Sequence, residues 1–159
     1  MMMFESQSHR LSDQRAVSAV CGLAQGTRIL TMQGELPVEY LTAGDRIITR
    51  TGPRKLLSVA MVQADAPMIR VSASTLGVEQ PEEDVIVSAD SLLRVTDWRA
   101  QTLAGQPQAM IAVTRLVDGE FIRAEPAGAH RLWQLVLDGP AVIYAGGLEI
   151  GVQPVLTPA

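Results

Sequence analysis

Apolar residues in this chain come in short bursts of four to nine positions, each cut off by glycine, proline or acidic turn residues. That is the pattern of short strands rather than of helices, whose apolar stripe would recur every three to four residues over a longer window. The first burst is Thr27–Met32, closed by a turn at Gln33-Gly34. Gly44-Asp45 then leads into Arg46–Arg50, and Thr51-Gly52-Pro53 ends that strand. Lys55–Gln63 and Met68–Ala73 read as two further strands parted by a loop containing Pro67. Asp84–Ser88 and Leu92–Val95 flank the small-residue link Ala89-Asp90-Ser91.

Two apolar runs turn on Asp-Gly, at Asp118-Gly119 and Asp138-Gly139, and each predicts a hairpin. Pro140 has no N–H to give a ladder, so it should open a strand or lie at an edge. Gly151–Ala159 reads as a trailing strand or tail, and Trp98–Gly105 as one or two helical turns. With 13 glycines and nine prolines, the whole predicts an all-β domain with little helix. The first 20 residues differ: they are polar, mixed in charge and free of glycine and proline, as in a tail or short helix. The expected organisation is a tail over 1–20, a domain over 21–150 and a C-terminal tail over 151–159.

Composition narrows the functions open to such a domain. Of 159 residues, 47% are apolar and 19% charged, enough for one packed core. The net charge of -4 and the lack of any basic run interleaved with aromatics argue against a nucleic-acid partner, which would require a cationic surface. No apolar run approaches a membrane span, and the N-terminus lacks the basic start and apolar core of a secretory leader, so no membrane partner and a cytoplasmic location are expected. One cysteine, Cys21, excludes an internal disulfide. With only His9 and His130 beside it, no zinc-ligand spacing can be written, and no metal or cofactor is expected. Glu82-Glu83-Asp84 reads as a solvated turn, and no phosphate loop, dinucleotide fingerprint or fixed-period repeat is present.

Three blocks carry a further signal: Cys21-Gly22-Leu23-Ala24-Gln25-Gly26-Thr27-Arg28-Ile29, Gly34–Leu41, and Gly44-Asp45-Arg46-Ile47. Together they resemble the opening of hedgehog/intein (Hint) domains, closest to bacterial stand-alone Hint-type modules, and the resemblance runs to about Ile150. It implies an all-β horseshoe with pseudo-two-fold symmetry. It also implies a chemistry, since many members cleave their own chain. Cys21 would attack the carbonyl of Val20, the C–N bond would open to a thioester, and water or a thiol would then release the upstream segment. The chain's own N-terminal residues would be the substrate.

Such a reaction needs an activated thiol and an acid to protonate the departing amide nitrogen. In the family that acid is largely a histidine in a Thr-x-x-His segment. Val87–Leu93 matches it with Ser88 in place of the threonine and Ser91 in place of the histidine. Two more expected positions, a histidine before the last hairpin and an Arg-His pair at its turn, read Gln134 and Gly139-Pro140, with Asp138 retained. The candidate site is therefore Cys21, Ser88 and Ser91. Ser88 and Ser91 also fit plain turn capping, His130 a surface residue, Asp138 a turn, and Trp98 and Trp133 packing or a groove contact. Asp90 would disfavour a thiolate beside it.

Three readings follow: a Hint-like module with degraded catalytic residues that serves as an interaction or structural unit for a protein partner; self-cleavage at Val20–Cys21; and a redox-sensing thiol. The absence of a His-Asn ending argues against splicing, and the short tail against sterol transfer.

Overall fold

The computed structural model describes residues 22–152, so the polar segment 1–20, Cys21 and residues 153–159 lie outside the described residues. Within them the chain forms β1 (Leu23–Ala24), β2 (Arg28–Thr31), β3 (Gly34–Pro37), β4 (Arg46–Thr49), β5 (Gly52–Asp65), β6 (Met68–Val71) and β7 (Val85–Ser88). There follow β8 (Leu92–Val95), helix α1 (Trp98–Ala104), β9 (Ala109–Ala112), β10 (Ile122–Ala124), β11 (Ala129–Leu137), β12 (Ala141–Ala145) and β13 (Leu148–Val152). All pair antiparallel in one curled sheet, ordered β10-β6-β7-β1-β11-β5-β4-β2-β12-β13-β8-β9, with β3 on β2. The expected all-β class is what the structure has.

The two early hairpins are built by one local device. Thr31 and Thr49 are buried, and each donates its hydroxyl to the carbonyl three residues on, Gly34 at 2.8 Å and Gly52 at 2.6 Å. Each Oγ1 also accepts the N–H two residues on, from Gln33 and Thr51. The side chain thus satisfies turn groups that burial would otherwise leave unpaired. Gly34 is therefore not only a turn residue: it opens β3, a strand absent from the sequence reading.

Helix α1 matches expectation, with Asp97 accepting the Arg99 N–H at its start and Gly105 closing it in the left-handed conformation. Neither Asp-Gly hairpin forms. Asp138-Gly139 joins β11 to β12, which do not pair: β11 lies between β1 and β5, and β12 between β13 and the β2–β4 edge. Asp138 instead meets the Arg54 guanidinium at 3.0 Å. Pro140 does precede its strand. The hairpin in this region turns on Gly146-Gly147, between β12 and β13. At Asp118 the preceding run is a 3₁₀ turn (Val113–Leu116), not a strand. The carboxylate accepts the N–H groups of Glu120, Phe121 and Ile122, and these bonds hold it below the ordinary aspartate value, the bond from Ile122 foremost. In both places the local turn preference is met, while core packing decides which strands pair.

One hydrophobic core has Leu23, Ile29, Ile47, Leu56, Leu93, Ile143 and Ile150 among its fully buried side chains. One polar cluster ties β6, β10 and the acidic loop before β7. Arg70 binds Glu125 at 2.8 and 3.3 Å and Asp84 at 3.4 Å. The hydrogen bond from Arg70 holds the Glu125 carboxyl below its ordinary value. The folded state therefore favours the ionised acid. The resulting stability is present above the unfolded carboxylate range and is lost as pH falls through the lowered folded value. Glu125→Gln should cost about 1–2 kcal/mol at neutral pH. Urea melts of variant and parent should converge on acidification, and a gap that persists at low pH would contradict the assignment.

Candidate functional site

The site forms where three strands meet the turn between β7 and β8. Leu23 is registered against Val87 on one side and Trp133 on the other. One step upstream, the same registers bring Gly22 beside Ser88 and Gln134. The contact is a hydrogen bond: the Gly22 N–H donates to Ser88 Oγ at 3.0 Å, in a buried setting. That N–H belongs to the peptide joining Cys21 to Gly22, so Ser88 grips the backbone immediately after the cysteine.

Ser88 and Ser91 stand at the ends of a tight turn closed by Ser91 N–H to the Ser88 carbonyl at 3.0 Å, with Asp90 exposed at the tip. Their hydroxyl oxygens lie 3.0 Å apart, and both side chains are buried, Ser91 completely. Pro67 accepts the Ala89 N–H and Ser91 the Val113 N–H through their carbonyls, which locks the turn against neighbouring loops. The turn thus brings Ser88 and Ser91 together. Turn geometry accounts for part of their bonding, and Ser88 also accepts the bond from Gly22.

Gly22 is required here by space. A Cβ at this position would stand 2.9 Å from Leu132 Cβ, closer than carbon atoms pack. Beside it opens a largely apolar groove of about 610 Å³, walled by Val62, Ala64, Pro67, Leu132, Thr114 and Gln134. Asp90 is the one charged residue among its described lining, and no imidazole is. His130 lies on the same face of β11, opposite Ala64, four residues from Gln134, or about 13 Å along a strand. It is not the freely exposed residue expected: its Nε2 is buried and has no hydrogen-bond partner among the described residues. Asp138 and Trp98 belong elsewhere in the fold, and Trp133 packs against the core.

Hydroxyls in this arrangement can orient a backbone and polarise it. They cannot supply a proton near neutrality as an imidazole does. Among the described residues no cluster of three or more His, Cys, Asp or Glu could hold a metal, and no helix is long and apolar enough to cross a membrane.

The Hint domain family model matches residues 21–151, nearly the whole folded region. The chain belongs to the Hint domain family. Solved structures agree on the fold. The intein-like domain from Clostridium thermocellum superposes with a TM-score of 0.54 at 15% identity, over 83% of this chain and 97% of that one. The DnaB intein from Synechocystis sp. PCC 6803 gives 0.55 at 11%, over 84% and 99%, and the TvoVMA intein 0.56 at 10%, over 82% and 96%. No curated protein sequence matches. The walls of this Hint groove, Val62, Ala64, Leu132 and Thr114, carried no sequence signal, because apolar and small residues in strands look the same whether they face a core or a cleft.

Proposed function

We propose that this Hint domain has kept the scaffold and the backbone anchor of an autoprocessing site but has lost its proton donor. Cleavage at Val20–Cys21 is then slow or absent, and the domain works as an interaction module whose groove holds a peptide segment. The observation that carries this reading is the bond sequence Gly22 N–H, Ser88 Oγ, Ser91 Oγ. It places hydroxyls, and no imidazole among the described groove residues, next to the peptide that follows Cys21. The sequence also contains no asparagine for a cyclisation step.

Intact mass spectrometry of the full chain at neutral pH, with and without dithiothreitol, tests the proposal. The parent and Cys21→Ala should both keep a single unchanged mass over days. The second reading, thioester self-cleavage, draws on the same anchor, since Ser88 holds the peptide on the far side of Cys21. A product beginning at Cys21, formed faster with thiol and missing in Cys21→Ala, would replace the first reading with the second.

A further inference from the structure

β13 ends at Val152, and its register fixes where that end lies. The strand runs between β12 and β8, with Val152 opposite Ala141 and Ile150 opposite Leu93. Two residues on from Ile150, the same register sets Val152 level with Ser91. On the other side of β8, Leu92 pairs with Ala112, and the Val113 N–H donates to the Ser91 carbonyl at 2.9 Å. The row beyond is therefore position 153, Asp90 and Thr114, and both Asp90 and Thr114 line the groove. Pro140 stands opposite position 153 in the β12 register, and Pro154 follows. Neither has an N–H to give, so two prolines end this interior strand at the rim of the groove.

We infer that the segment 153–159 of this chain is the resident occupant of the groove. The assignment rests on the reading that the groove holds a peptide, and it names the peptide. Reach allows it: seven residues extend to about 23 Å, whereas the wall from Val62 to Ala66 covers about 13 Å of strand. Charge allows it too. Gln153-Pro154-Val155-Leu156-Thr157-Pro158-Ala159 carries none, so seating it on apolar walls desolvates no ion of its own. Size selects it. Ala64, Ala66, Ala89 and Ala112 are small groove-lining residues, and small walls pack best against larger side chains such as Leu156, Val155 and the two prolines.

The competing occupant is the stretch Ala16-Val17-Ser18-Ala19-Val20, which precedes Cys21. It offers mostly small side chains to small walls and is the poorer fit. The Hint family match stops at residue 151, so the segment 153–159 lies outside the matched region. A peptide from outside would have to displace a segment tethered at the rim, whose effective concentration is in the millimolar range. The groove is then closed by default and opens only when the tail is drawn off.

Methyl NMR of the full chain tests this. In the parent, the Leu156 methyls should give NOEs to the Ala64 and Ala112 methyls. In Leu156→Asp the Val62 and Leu132 signals should move while those of Ile47 and Ile143 stay, and circular dichroism establishes that the variant is folded. A synthetic heptapeptide, Gln-Pro-Val-Leu-Thr-Pro-Ala, should bind Leu156→Asp at least about tenfold more tightly than the parent, because the variant's own tail no longer competes. A parent without those NOEs overturns the inference, and so does a folded variant that binds the heptapeptide no better than the parent. The underlying reading fails separately. It survives that result if the heptapeptide, or the methyls of Val17 and Val20, contact the groove walls, and it falls with the inference if none of them does.

Discussion

Replacing Ser91 with histidine is expected to speed cleavage at Val20–Cys21 by about 10²-fold or more over the parent. The Ser91 hydroxyl lies 3.0 Å from Ser88 Oγ, which itself holds the Gly22 N–H. A side chain at 91 is therefore two contacts away from the peptide that follows Cys21. A free imidazole has a pKa near 6.5, and one placed here can protonate a departing amide nitrogen, which a hydroxyl does not do. Ser91 is fully buried, so the larger ring should cost about 1–3 kcal/mol of stability, which a thermal melt will register. The comparison that matters is with Ser91→Ala, which should cleave no faster than the parent. If folded Ser91→His and Ser91→Ala give the same mass spectra over time, the missing proton donor is not what limits the reaction.

Gly147→Ala should be the most damaging small change in the chain, costing upward of about 3 kcal/mol. Gly147 has a φ of +94°, which disfavours any side chain. Space forbids one as well: a Cβ would stand 2.6 Å from the Glu79 carbonyl oxygen and 2.8 Å from the Glu82 nitrogen. Both neighbours are backbone, so relief requires moving the loop, not a rotamer. That loop leads directly into β7, which ends at Ser88, and the Glu82 N–H bonds the Gly146 carbonyl. Denaturant melts should show the loss, and hydrogen exchange should show weakened protection at Gly22 ahead of the β5–β11 ladder. A variant as stable as the parent would mean that the loop is softer than this packing implies.

How much of this was open to a reader of the sequence varies with the range of the interaction. Thr27–Met32, Asp84–Ser88 and Leu92–Val95 were legible because short apolar runs cut off by turn residues mark strands, and Trp98–Gly105 because its cap residues are local. Cys21, Ser88 and Ser91 were singled out only through likeness to Hint domains, since a serine in a turn carries no chemical signature of its own. The Asp-Gly pairs misled for a physical reason: Asp138 and Asp118 spend their carboxylates on Arg54 and on nearby N–H groups, and a turn does not dictate that its flanks must pair.

The amino-acid order by itself determined the strand class, the turn chemistry of Thr31–Gly34 and Thr49–Gly52, and which residues, Ser91, Gln134 and Gly139-Pro140, stand where the resemblance implies histidine. These depend on neighbours within a few residues, or on identity alone. Tertiary structure decided that Gly22 meets Ser88 across 66 residues, that Leu132 leaves no room for a Cβ at 22, and that His130 stands opposite Ala64, one wall of the groove. Each of those follows from strand register, which is chosen by the burial of the whole core and not by any one segment.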